Sequence, residues 1–82
     1  MVLPRKKSVS LTGIVIPVDW NDRQELIATA LATADEREYR IVGNKRGKEL
    51  LGYLQRQIEA TGTLEQDGNG RDVITVKRYI VK

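Results

Sequence analysis

The sequence predicts an all-β domain: a small barrel of five strands with one short helix between the third and the fourth. Three observations lead there. Ile58, Ala60, Gly62 and Leu64 alternate with Glu59, Thr61, Thr63 and Glu65, the two-residue period of a half-buried strand. Asp67-Gly-Asn69-Gly-Arg71 follows, with residues that accept positive φ, and a second β-branched run from Asp72 to Val81 completes a hairpin. A lone hairpin buries too little apolar surface to stand in water, so the rest of the chain must close around it.

Length and composition bound the reading. The 82 residues make one domain, which at this size buries roughly 60–65% of its unfolded surface. The chain has neither cysteine nor histidine, which removes disulfides, redox motifs and the usual zinc cages, and no metal or cofactor is expected. No apolar run reaches the roughly 20 residues of a bilayer span, and the opening Met-Val-Leu-Pro-Arg-Lys-Lys lacks a signal peptide's apolar centre. A cytoplasmic protein with no membrane partner is the expectation.

Taken in order, residues 1–7 carry a proline and three consecutive cations without periodicity, which reads as a disordered basic tail before a domain over 8–82. From Ser8 the alternation places Val9 and Leu11 on one face, but beyond Gly13 the apolar set is Ile14, Ile16 and Val18. The phase slips at Gly13, as a β-bulge or bend would make it, letting one long strand serve both sides of a barrel. Asp19 to Arg23 is a polar turn holding the only tryptophan, Trp20.

Gln24 to Ala34 fits two patterns. Asp22 with Glu25 spells a capping box, and Leu26, Ile27, Ala30, Leu31 and Ala34 share a helical face. As a strand, the segment puts Ile27, Thr29, Leu31 and Thr33 inside and Leu26, Ala28, Ala30 and Ala32 outside. The residues that follow decide for the strand: Asp35-Glu36-Arg37 makes a hairpin turn, and Glu38 to Val42 alternates cleanly. Gly43 then breaks the chain, and Asn44 caps a helix expected to run to about Gln55 with Leu50, Leu51 and Leu54 as its apolar stripe. Gly47 and Gly52 each cost roughly 1 kcal/mol inside it, so docking rather than propensity must hold it.

This order resembles the OB-fold, a five-stranded Greek-key barrel with a helix capping one end. The resemblance rests on Leu11-Thr-Gly13-Ile-Val15, Gly47-Lys-Glu-Leu-Leu51, Ile58-Glu-Ala-Thr-Gly-Thr-Leu64 and Val73-Ile-Thr-Val-Lys-Arg-Tyr79. In particular the chain is similar to small bacterial single-domain OB-fold proteins of uncharacterised function, a likeness that implies the fold and brings no activity with it.

Charge and motifs narrow the function classes. Arg5, Lys6 and Lys7 account for the whole net charge of +3, and the other eleven cations are interspersed with eleven acidic residues. Gly43-Asn-Lys-Arg-Gly47-Lys48-Glu49 is one residue short of a phosphate loop and lacks its Ser or Thr. Lys45, Arg46 and Lys48 nonetheless stand at a predicted helix start, where an anion is favoured. The loop from Asp67 fails as a calcium site, with Asp72 where glycine and Arg78 where glutamate would be required. Dispersed carboxylates and the absence of histidine and cysteine leave no acid, base or nucleophile constellation, so an enzyme is not expected.

Two binding classes remain. As a weak, sequence-tolerant binder of single-stranded DNA or RNA, the chain would use Trp20, Arg23, Arg40 and Arg71, the helix-start cations Lys45, Arg46 and Lys48, and the tail cations Arg5, Lys6 and Lys7. The outer face of the second and third strands is expected to show Ala28, Ala30, Glu38 and Arg40, with no aromatic platform. As a protein-interaction module it would use a barrel edge or rim.

Overall fold

The computed structural model describes residues 7–82. Arg5 and Lys6 lie outside them. β1 (Lys7–Trp20), β2 (Leu26–Thr33), β3 (Glu38–Ile41), β4 (Gln57–Gln66) and β5 (Asp72–Val81) form a closed barrel in the order β1-β2-β3-β5-β4. All neighbours are antiparallel except β3 and β5, which run parallel over two pairs, Arg40 with Val73 and Ile41 with Ile74. Between β3 and β4 lie α1 (Lys45–Glu49) and a 3₁₀ turn at Leu50–Gly52. This is the OB-type barrel the sequence predicts, and the segment expected as a strand from Gln24 to Ala34 forms β2, though only over Leu26–Thr33, with Gln24 in the preceding loop. No helix of the described residues is long and apolar enough to cross a membrane.

β1 serves both sides of the barrel, pairing with β4 from Lys7 to Ile14 and with β2 from Gly13 to Trp20. The phase slip expected at Gly13 lies elsewhere. Val9, Leu11, Gly13 and Val15 keep one inward phase, and the register shifts at Val18, between Pro17 and Asp19. Gly13 is instead the point of strand exchange, where a Cβ would come within 2.5 Å of the Ala32 carbonyl oxygen. Ile14, in the apolar set expected beyond Gly13, is therefore 42% exposed.

The core gathers Val15, Leu31, Tyr39, Ile41, Ile58, Ala60, Ile74 and Val76 from the five strands, with Leu50 closing one end from the 3₁₀ turn. Two assignments within β2 differ from the sequence reading. Ile27 lies on the ribbon beyond the β2–β3 pairing and is exposed, while outward-facing Ala30 is fully buried between Ile16 and Arg40, its partners on either side. The helix is also shorter than expected. Asn44 does cap it, its side chain accepting from the Gly47 amide (2.9 Å) and donating to the Val76 carbonyl (3.2 Å). Gln55, however, has φ of 64°, donates its amide to Val15 (2.8 Å), and the Val15 amide donates to Arg56 (3.1 Å). Backbone pairing with β1 thus takes the residues that would have made the last helical turn.

The three hairpin loops share one plan. Asn21, Thr33 and Asp67 each donate their amide to the carbonyl four residues on, and each carbonyl accepts from the residue three on. That third residue is left-handed in every case: Gln24 (66°), Glu36 (65°) and Gly70 (77°). Asn21 and Asp67 also accept two backbone amides each on a side-chain oxygen, and the Thr33 hydroxyl donates to Asp35. Such loops match the twist of the flanking strands.

Candidate functional site

The predicted site residues separate into two places. Arg40, on the outer face of β3, and Arg71, at the end of the β4–β5 loop, meet in an open groove of about 560 Å³ lined also by Val18, Glu38, Gly70 and Asp72. The loop is held by Asp67, whose carboxylate accepts from Asn69 (2.8 Å) and Arg71 (2.9 Å). The Arg71 amide first, then the Asn69 amide, keep its carboxyl below the usual range. Two carboxylates, Glu38 and Asp72, answer the two guanidinium groups, so the groove is charged but nearly balanced.

Trp20 ends β1 two residues beyond Val18 and is 50% exposed, its amide donating to the Asp19 carboxylate. Arg23 lies exposed in the loop beyond it. Lys7 opens β1 opposite Leu64 and shares a hollow with Glu65, Gln66 and Asp72, the last of which also lines the groove. The face of β2 and β3 carries no aromatic side chain; Tyr39 points into the core.

The second place is the outside of α1. Lys45, Arg46 and Lys48 are all exposed there. Arg46 donates to both oxygens of Glu49 (3.1 and 3.0 Å), and the Tyr79 hydroxyl donates to the same carboxylate (3.0 Å). Arg46 first and Tyr79 second lower the Glu49 carboxyl, while burial and then the Glu49 bond push Tyr79 up to about 12. Tyr53 stands edge-on to Tyr79 at 5.8 Å. Arg78 completes a hollow of about 350 Å³ with Arg46, Glu49 and Tyr79.

Lys77 and Arg78 are the residues that the sequence reading passed over. Their signal was available: two adjacent cations interrupt the alternation of β5, where the register against β4 shifts between Thr61 and Gly62. Among the described residues no group of three His, Cys, Asp or Glu side chains gathers into a metal site.

The fold and these two surfaces define an OB-type barrel with a shallow groove and a basic flank. No protein-family model, no curated protein and no solved structure matches the chain.

Proposed function

We propose that the chain is a non-catalytic cytoplasmic binding module that holds single-stranded DNA or RNA weakly and without marked sequence preference. The observation that supports this best is the convergence of Arg40 and Arg71, distant in sequence, on one open groove. Guanidinium groups grip phosphates bidentately, and two of them set the register of a backbone without reading bases. Glu38 and Asp72 in the same groove limit the affinity. Trp20 beyond the groove offers one stacking surface, worth roughly 1–3 kcal/mol per base.

Titration of the full chain with a labelled oligothymidylate at about 50 and 200 mM salt tests this, since phosphate contacts make affinity fall steeply with salt. Quenching of the single tryptophan and at least tenfold weaker binding by Arg40→Ala/Arg71→Ala are the expected results. No binding by the wild-type chain at low salt rejects the reading. The second reading, a protein-interaction module, draws support from an apolar hollow of about 480 Å³ on the outside of β1 and β2, lined by Ile14, Ile16 and Ala32 among others.

A further inference from the structure

Charge that is interspersed along the sequence is segregated in the fold. Residues 19–40, which make the β1–β2 loop, β2 and β3, hold six acidic and three basic side chains. Residues 45–56 hold four basic and one acidic, and residues 77–82 hold three basic and none acidic. The fold joins these last two stretches. Asn44 donates across to Val76, Tyr79 donates to Glu49, and Arg46 and Arg78 face one hollow. Of the carboxylates beside this flank, Glu49 is already occupied by Arg46 and Tyr79, and Glu59, facing outward on β4 opposite Ile80, makes no ion pair among the described residues. Among the described residues the only ion pairs are Arg46–Glu49 and Arg37–Asp35, so Lys45, Lys48, Lys77 and Arg78 stand unpaired in solvent.

We propose that this flank of α1 and β5 is a second phosphate-contacting surface, which grips the phosphodiester backbone of the same single strand that enters at Arg40 and Arg71. The inference rests on the nucleic-acid reading above and assigns the larger electrostatic share to Lys77 and Arg78. β5 itself connects the two places. Arg71 precedes its first residue and Arg78 lies towards its far end, a separation of about 20 Å along an extended chain. That length suits roughly four nucleotides, the lower end of the range for a single OB barrel. The stretch between them offers Val73 and Thr75 on the outer face, small enough for a strand to pass. Guanidinium and ammonium groups with no ion-pair partner release more counterions on binding than the balanced groove, which sets position and contributes the smaller share of affinity.

The test compares the full-length wild type with Lys77→Gln/Arg78→Gln and with Arg40→Gln/Arg71→Gln, all exposed or partly exposed changes, with circular dichroism as the check on folding. The probe is a fluorescein-labelled oligothymidylate of about 12 nucleotides, within the range that OB barrels cover. Each phosphate contact on a single strand contributes a slope of about −0.7 in log K against log salt, or about eightfold in affinity at 50 mM. Lys77→Gln/Arg78→Gln should therefore bind about 60-fold more weakly at 50 mM and lose about 1.4 from the slope by the same relation. If the wild type binds and this variant matches it in affinity and slope, the flank is not a contact and the proposal is overturned, while the nucleic-acid reading stands on the groove alone. If the wild type itself fails to bind, the nucleic-acid reading fails and takes this proposal with it.

Discussion

Gly62→Ala should come close to unfolding the protein. Gly62 faces inward on β4 at the register shift, opposite Val76. A Cβ there would overlap the Thr75 carbonyl oxygen and stand 2.9 Å from its carbon and 3.1 Å from the Val76 Cα. All three obstacles are backbone, so no side-chain rotation relieves them, and β4 and β5 must separate. Overpacking of this kind costs about 1–3 kcal/mol, and a ladder hydrogen bond broken in the process adds about 1–3 kcal/mol for a buried group left unpaired. A total of about 2–6 kcal/mol follows from those two contributions, against about 4–12 kcal/mol for a domain of this length. In urea, at a slope of about 1 kcal/mol per molar, the midpoint should drop by about 2 M or more, or the variant should be unfolded in buffer. Gly68→Ala is the control, because nothing lies within 4 Å of its added Cβ. A Gly62→Ala midpoint within about 0.5 M of wild type on that same scale would refute the β4–β5 register described above.

Other outcomes are equally specific. Gln24 and Glu36 hold left-handed conformations without being glycine, so Gln24→Gly should raise stability by about 0.5–1 kcal/mol in chemical denaturation, since the steric penalty disappears. Asp67 has a folded-state pKa below its ordinary 3.8 and Glu49 one below 4.5. As the pH falls, the unfolded chain takes up these protons first, so both groups contribute stability above about those values and lose it as the pH falls through their folded values. Asp67→Asn keeps the two amide acceptor bonds, as Asn21 does in the first loop. Its thermal melting should lie somewhat below wild type at neutral pH, where the charge-assisted part of those bonds is lost, and should fall less steeply below about pH 4, so that the two converge in acid.

The sequence disclosed the strands best where alternation was uninterrupted. Ile58, Ala60, Ile74 and Val76 are core as their period predicts, and the loop from Asp67 is a hairpin because its chemistry admits little else. Gly13 misled because both faces of β1 are apolar there: Val15 and Ile14 are equally greasy, and only the identity of the neighbouring strand distinguishes core from surface. The helix end was illegible for a similar reason. Leu54 and Gln55 continue a plausible helical pattern, yet the free backbone of β1 at Val15 captures the chain first, and no local signal announces a partner 40 residues away. Of the candidate site, Arg40 and Arg71 were legible as cations, one on the outer face of a strand and one in a turn. Lys77 and Arg78 were not, because the basic flank they form arises from α1 packing against β5, which joins two basic stretches that look ordinary when read separately.

The seam between β3 and β5 has a dynamic consequence. Closure there rests on two residue pairs, with the Val42 amide donating to Ile74 (3.0 Å) and Asn44 reaching Val76 just beyond. Elsewhere the ladders run through seven or more pairs, apart from the short β2–β3 hairpin. Local opening follows the fewest buried hydrogen bonds, so opening is expected first at this seam, with β2 and β3 moving away from β5. Arg40 lies on one side of it, in β3, and Arg71 on the other, just before β5. Any ligand that bridges the two is a clasp across the opening: it slows amide exchange at Val42, and whatever loosens the seam weakens the ligand's hold by the same free energy.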